Sequence, residues 1–142
     1  MRKIYFFVLI LIGIGCSSVE KEDLQNLNGY WEIHKVIQPD GNEVDFSINT
    51  IYDYYEINQN HKGFYKKAYP QLDGTFIVDE YSEEIEITED ETTFKVQFHS
   101  EFNDRELNII EVTENKLILK NSEDKTYYYK RAEPINLLEN EE

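Results

Sequence analysis

The feature that most constrains the fold of this chain is a series of short segments in which polar and apolar residues alternate. Phe94, Val96 and Phe98, for example, share one face of a segment whose intervening residues are polar. Alternation with a period of two indicates half-buried β-strands. Turn residues such as Asp73-Gly74 separate the segments. About nine of them follow one another at intervals of roughly 8 to 12 residues, which is typical of an antiparallel sandwich or barrel.

The first segment surrounds Trp31, and the other eight are 51–57, 64–69, 75–81, 83–88, 92–99, 107–112, 116–120 and 126–131. In 107–112, Ile109 and Ile110 are adjacent, so the alternation does not say which of them faces the core. Lys35 has the parity of Trp31 and Ile33, which allows either an inward position or a rim position exposed to water. We favour the rim. Leu24 and Leu27 are spaced for one short turn of helix.

Composition supports a folded chain and excludes one class of partner. Eleven Tyr, eight Phe and one Trp supply apolar area to bury, which outweighs the tendency of an acidic chain to remain disordered. The formal net charge of −15 repels phosphate backbones, so we expect no nucleic-acid partner.

No catalytic, cofactor or metal motif stands out in the sequence. The chain contains no Walker loop, no Gly-x-Gly-x-x-Gly and no Gly-x-Ser-x-Gly. His34, His61 and His99 do not have the spacing of metal ligands. The acidic run 83–91 lacks the loop spacing and central glycine of a calcium site, so a solvated strand face is the better interpretation. We therefore expect no enzyme activity, no cofactor and no metal.

The N-terminus has the layout of an export signal. Arg2 and Lys3 precede an apolar run of eleven residues, 4–14, which ends at Gly15 and the only cysteine, Cys16. A membrane-spanning helix needs about 20 apolar residues, whereas the apolar region of a signal peptide is this short. The alternative is a buried N-terminal strand or helix with an incidental cysteine.

The residues Gly13-Ile14-Gly15-Cys16 resemble the lipobox of bacterial lipoproteins, although Gly13 stands where that pattern has Leu. The resemblance implies a signal peptide over 1–15, cleavage before Cys16 and acylation of Cys16, for example with palmitate. Residues 16–26 would then be the lipidated cysteine and a polar tether. Two acyl chains give stable anchoring. We expect export and a lipid anchor in a bacterial membrane, the outer membrane being favoured and its face left open.

Two further motifs carry a second resemblance. Gly29-Tyr30-Trp31 and the aromatic run that ends at Arg131 resemble the first and last strands of lipocalins and of bacterial lipocalin-like lipoproteins. This implies an all-β fold, a single antiparallel up-and-down β-barrel of about 8–9 strands over 27–131, with an acidic tail over 132–142. In that family the Trp plugs one end of the barrel beneath a basic residue. Carried over, Arg131 would cover Trp31 through a cation–π contact.

A barrel of this size either holds one small ligand or is filled by its own side chains. The residues that could line a cavity are Ile33, Phe64, Phe76, Tyr81, Phe94, Phe98, Tyr127 and Tyr129. Our first interpretation is a non-enzymatic binding module for a small apolar or amphipathic molecule. The alternative is a structural or protein-interaction lipoprotein with a solid barrel, and bulky inward residues favour a small or absent pocket. A closed barrel has no free edges, so we expect a monomer.

Overall fold

A computed structural model describes residues 18–134, which form one 3₁₀ helix, Lys21–Leu27, and ten β-strands. The predicted signal peptide, Cys16 and the tail beyond residue 134 lie outside the described residues. The strands are β1 (Gly29–Ile37), β2 (Glu43–Asp45), β3 (Tyr52–Ile57), β4 (Lys62–Pro70), β5 (Phe76–Val78), β6 (Glu83–Asp90), β7 (Thr93–His99), β8 (Arg105–Val112), β9 (Lys116–Lys120) and β10 (Thr126–Arg131). Within residues 18–134, no helix has the length and apolar character needed to span a membrane.

The sheet closes on itself. Every pairing is antiparallel, and the order β1-β3-β4-β6-β7-β8-β9-β10 returns to β1 through the pairing of β10 with β1. The two remaining strands are short additions, β2 along the second half of β1 and β5 along the end of β4. The predicted all-β, up-and-down barrel is therefore confirmed, with eight strands in the ring.

One face of each strand supplies the core. Phe94, Val96 and Phe98 point inward from β7 and are buried, as their alternation predicts. They pack with inward residues of the other strands in one continuous cluster that includes Trp31 and Leu117. This cluster fills the half of the barrel where β1 begins and β10 ends.

Two shifts in register change which residues face inward. In β1 the pairing with β10 shifts between Ile33 and Lys35, which turns Lys35 outward. Its ammonium lies 4.8 Å from the centroid of the Tyr128 ring and 3.7 Å from a carboxylate oxygen of Glu43. A simple count of parity from Trp31 therefore gives the wrong side for Lys35, because the irregularity inserts an extra residue.

The second shift lies in β8, between Ile109 and Glu111. Ile109 and Val112 are both buried although they are three residues apart, while Ile110 is exposed. The shift accounts for the adjacent isoleucines that the alternation could not assign.

The 3₁₀ helix closes one end of the barrel. Leu24 and Leu27 are fully buried against the core, so part of the segment predicted as a tether belongs to the folded domain. The prediction of a polar tether through residue 26 is wrong for 21–26, because two leucines three residues apart bury one face of the helix. At the other end of the barrel, loops surround an opening.

Candidate functional site: a cleft at the open end of the barrel

The open end leads into a cleft with a volume of about 910 Å³. Its walls come from β3, β4, β6, β8 and β10 and from the loops that join the strands at this end. Clefts that hold small ligands span roughly 300–1,000 Å³, so the cleft is large enough for one. The barrel is thus solid in one half and open in the other, and our expectation of a small or absent pocket was wrong.

The floor of the cleft is built around Asp53, an inward residue of β3. Its carboxylate oxygen Oδ1 accepts a hydrogen bond from the Tyr65 hydroxyl at 2.8 Å and one from the Lys67 ammonium at 2.5 Å. Tyr65 and Lys67 share the inward face of β4, which pairs with β3 in a register that places Asp53 opposite Lys67. The carboxylate is buried and remains paired, as a buried charge must be.

A second ion pair lies on the adjacent wall. The guanidinium of Arg105, at the start of β8, donates a hydrogen bond from Nη2 to Oε2 of Glu83 at 2.6 Å. Its carbon Cζ lies 3.5 Å from the centroid of the Phe98 ring and 5.2 Å from that of Tyr65. Arg105 therefore marks the boundary between the packed core below and the cleft above.

Three buried tyrosines line the floor: Tyr55, Tyr65 and Tyr129. Burial raises the pKa of all three above the ordinary value, and the negative charge of Asp53 raises it further. Their hydroxyls therefore keep their protons throughout the neutral range.

The predicted cavity residues fall into three groups. Tyr81, Tyr127 and Tyr129 line the cleft. Ile33, Phe94 and Phe98 belong to or pack against the solid core.

Phe64 and Phe76 lie elsewhere, and their assignment to a cavity was wrong. Phe64 is exposed on the outer face of β4, opposite Glu84 of β6. Phe76 stacks on the ring of Tyr30 at a centroid distance of 4.2 Å, on the outer surface of β1. Alternation explains Phe64, which must point outward because its neighbour Tyr65 points inward. Tyr30 points outward in the same way because Trp31 points inward, and Phe76 lies on the outer surface because it stacks on Tyr30.

The closed end contains the pair that the resemblance implied. Arg131 lies opposite Trp31 in the pairing of β10 with β1, and its carbon Cζ is 3.8 Å from the centroid of the Trp31 ring. The guanidinium also donates hydrogen bonds to the main-chain oxygens of Asn26, Asn28 and Glu114. These bonds tie the last strand to the segment that precedes the first.

Gly29 makes room for this arrangement. Its φ angle is +113°, and a Cβ atom there would lie 2.8 Å from Nη1 of Arg131. The glycine of Gly-x-Trp is thus required both by the backbone conformation and by the close approach of the arginine.

The sequence analysis did not identify the two ion pairs of the cleft, Asp53 with Lys67 and Glu83 with Arg105. A signal was present for some of them: Glu83 shares the parity of Ile85 and Ile87 on β6. A charge at the first inward position of an apolar face marks the mouth of a barrel. With respect to metals, residues 18–134 contain no group of three or more His, Cys, Asp or Glu placed to hold an ion.

A match to a protein-family model agrees with this architecture. A family model described as a lipocalin-like domain matches residues 27–119. Similar solved structures include a lipocalin-like protein from Bacteroides uniformis (10% identity, TM-score 0.49) and an uncharacterized protein from Bacteroides eggerthii (14% identity, TM-score 0.47). Each alignment covers 75% of this chain and 99% of the other chain. No curated protein matches. The family match spans more than half of the sequence, and the chain belongs to the lipocalin-like domain family.

Proposed function

We propose that this chain is a non-enzymatic binding protein that holds a small amphipathic molecule in the cleft of its barrel. The observation that carries the proposal is the cleft of about 910 Å³ at one end of a barrel that is otherwise packed. Its walls combine the apolar surface of Leu107 and of five tyrosine rings with many charged and polar side chains of the floor and the rim. Apolar contact together with polar groups that fix orientation is what a small amphipathic molecule requires. We assign no reaction to the site.

The test is to fill the cleft. Leu107 lies on the cleft wall in β8, whereas Ile110 of the same strand is exposed on the outer face. Leu107→Trp should remove a small molecule that copurifies with the protein and is detected by native mass spectrometry. Ile110→Trp, the matched control, should retain it. Equal retention by both variants, or no adduct on the unmodified protein after incubation with cell lipid extract, would contradict the proposal.

The location we propose is a bacterial membrane, the outer membrane being favoured, with the anchor on Cys16. The support for the anchor is the sequence of residues 1–16, and the position of the first described residues indicates which end of the barrel an anchor would hold. Ser18 and Val19 lie beside Phe94 at the closed end of the barrel. A lipid only two residues before Ser18 would hold the closed end at the bilayer and turn the cleft away from it. The measurement is fractionation: Cys16→Ser should move the protein from the membrane to the soluble fraction, and continued sedimentation with membranes would contradict the anchor.

A second function has one specific observation in its favour. The loop between β7 and β8, which borders the cleft, carries Phe102, an apolar side chain that is almost fully solvated at 86% exposure. Exposed apolar side chains mark interaction sites where they form part of a contiguous apolar patch, and Phe102 would be the centre of one if Tyr81, which is 55% exposed and lines the same cleft, lies beside it. The alternative is therefore an interaction lipoprotein whose mouth contacts another envelope protein. Photo-crosslinking from position 102 in cells would reveal such a partner. We propose a monomer in either case, because the ring leaves no long strand edge unpaired.

A further inference from the structure

The charges that face the cleft disfavour an anionic ligand. On the floor, Asp53 is already paired with Lys67 and Glu83 with Arg105. Five carboxylates and three cations line the cleft in all, the others being Asp104, Glu106, Glu123 and Lys66. The lining therefore carries an excess of negative charge, which repels an anionic head group.

The two ion pairs of the floor also disfavour a cationic head group. In each pair the cation is more exposed than its carboxylate: the side chain of Lys67 is 46% exposed against 11% for Asp53, and that of Arg105 is 37% exposed against 13% for Glu83. A cation could reach either carboxylate only by displacing Lys67 or Arg105, which would leave the displaced charge without its partner. An uncharged head group leaves both pairs intact.

The carboxylates of the rim offer a cation little more. An oxygen of Glu106 lies 3.4 Å from the ammonium of Lys95, and Oδ1 of Asp104 lies 3.4 Å from Nδ1 of His99. The side chains of Glu106 and Asp104 are 48% and 71% exposed, and Glu123 is exposed as well. Ion pairs formed at such solvated positions contribute little free energy.

An uncharged head group finds hydrogen-bonding groups of both kinds in the cleft. Among the described residues, Lys67 gives one N–H to Asp53 and Arg105 gives one to Glu83, whereas an ammonium carries three donors and a guanidinium five. The side-chain amide of Asn103 both donates and accepts. Hydroxyl groups do the same, so a head group that carries several hydroxyls can use the donors and the acceptors together.

Aromatic rings complete the match to a sugar. Five tyrosines line the cleft: Tyr55, Tyr65, Tyr81, Tyr127 and Tyr129. A tyrosine ring presents a flat apolar face and carries a hydroxyl at its tip. The C–H groups on one side of a sugar ring can pack on such a face while the sugar hydroxyls reach the neighbouring polar side chains.

The wall of the cleft continues into an apolar lip formed by Tyr69 and Ile77. Lys67 and Tyr69 share one face of β4, and Ile77 of β5 lies directly opposite Tyr69. Tyr69 and Ile77 are 36% and 58% exposed. Phe76, on the opposite face of the same hairpin, stacks on an aromatic ring of β1 and so holds the lip in place. An apolar surface that adjoins the cleft is thus left open to solvent.

We propose that the cleft binds an amphipathic glycoside, with the uncharged sugar head group on the floor and the hydrocarbon on the lip. This rests on the proposed binding function and specifies its ligand class. The sugar satisfies the polar groups of the floor without separating either ion pair. The hydrocarbon removes the side chains of Tyr69 and Ile77 from water.

The test compares probes that share one hydrocarbon chain and differ in the head group. Residues 17–142 contain every described element and omit the anchor, and circular dichroism checks their folding. Calorimetric titrations use decyl maltoside, decanoate, decyltrimethylammonium and decanol, each below its micellar concentration. Decyl maltoside should bind at least about tenfold more tightly than each of the other three. Its affinity should change less than about twofold between about 0.05 and 0.5 M salt, because no charge is neutralised on binding.

Variants of the lip test where the hydrocarbon lies. Tyr69→Ser combined with Ile77→Ser should weaken the binding of decyl maltoside by about tenfold. Phe64→Ser is the matched control, because Phe64 is an exposed aromatic residue on the outer face of the same strand, and it should leave the affinity unchanged.

The outcomes separate the glycoside proposal from the binding function. Tighter binding of decanoate or decyltrimethylammonium, or equal binding of decyl maltoside and decanol, would overturn the sugar assignment while leaving the cleft as a binding site. Equal affinities of the lip variant and the Phe64→Ser control would overturn the placement of the hydrocarbon. If no probe binds and Leu107→Trp changes nothing that copurifies, the binding function itself fails, and the glycoside assignment with it.

Discussion

Arg131→Ala should cost the protein a large part of its stability, because this side chain joins three separate main-chain segments. Its guanidinium donates to the carbonyl oxygens of Asn26 and Asn28 at 2.6 Å each and of Glu114 at 2.7 Å. It also covers the ring of Trp31. A net contribution of about 1 kcal/mol for each hydrogen bond, with water able to replace part of it, and about 1 kcal/mol for the cation–π contact gives a loss of about 3–4 kcal/mol.

The assay is equilibrium unfolding in urea, monitored by the fluorescence of Trp31, the only tryptophan of the chain. With an m value of about 1.5–2 kcal/mol per molar urea, the midpoint should fall by roughly 2 M while the slope stays constant. Lys130→Ala is the matched control: Lys130 is the adjacent residue, its ammonium lies 3.2 Å from a Glu32 carboxylate oxygen, its side chain is more than half exposed, and its loss should cost less than about 1 kcal/mol. Equal losses in the two variants would refute the view that Arg131 fastens the closed end.

Three further predictions concern the packing and the buried tyrosines. Gly29→Ala should cost about 1–3 kcal/mol more than Gly41→Ala in urea unfolding, because both have positive φ but only at Gly29 would the new Cβ meet another residue within 4 Å, namely Arg131. Leu24→Ala should cost about 2–5 kcal/mol and Leu72→Ala, on an exposed turn, less than about 0.5 kcal/mol, as measured in the same assay. The pKa values of Tyr55, Tyr65 and Tyr129 are raised in the folded state, so above about pH 10 the unfolded chain loses these protons before the folded protein does. These groups should therefore leave the free energy of unfolding unchanged below about pH 10 and lower it above, by up to about 1.4 kcal/mol per pH unit for each tyrosine. Ultraviolet titration of tyrosinate should show these three tyrosines ionising only when the protein unfolds.

The barrel itself could be predicted from sequence because its signals are local. Alternation marks each strand, and turn residues such as Asp73-Gly74 separate them. The inward face of β7 followed directly from Phe94, Val96 and Phe98. Strand order is also simple in an up-and-down fold, since consecutive strands pair. The short strand β2 had no such signal: its three residues are all exposed.

Register shifts were beyond prediction because they are set by the partner strand. The irregularity after Ile33 turns Lys35 outward, and the sequence of β1 does not indicate where the irregularity occurs. In β8 the adjacent Ile109 and Ile110 left open which of the two faces the core. The structure shows that Ile109 does, and the register shifts directly after it. A period-two pattern gives the facing of a strand only up to its first irregularity.

The cleft was harder to predict for a different reason. An inward polar residue at the mouth of a barrel looks, in sequence, like an outward residue of a solvated face. Asp53 lies beside two outward-facing tyrosines and was not distinguished from the many surface carboxylates of an acidic chain. The pairing of Asp53 with Lys67 depends on the register between β3 and β4. Only the three-dimensional arrangement reveals the paired charges.

These paired charges should serve binding more than stability, and a double-variant cycle can test that view. Taking an ion pair out of water costs desolvation energy that the attraction only partly returns. Lys67→Met alone leaves the carboxylate of Asp53 without its cation and should lower stability by about 1–2 kcal/mol, less than for a fully buried pair because Lys67 is half exposed. Adding Asp53→Asn removes the uncompensated charge while its amide oxygen can still accept from Tyr65, so the double variant should unfold within about 1 kcal/mol of the original protein. A double variant less stable than either single variant would mean that the pair holds the barrel together, and its charges would then need no ligand to account for them.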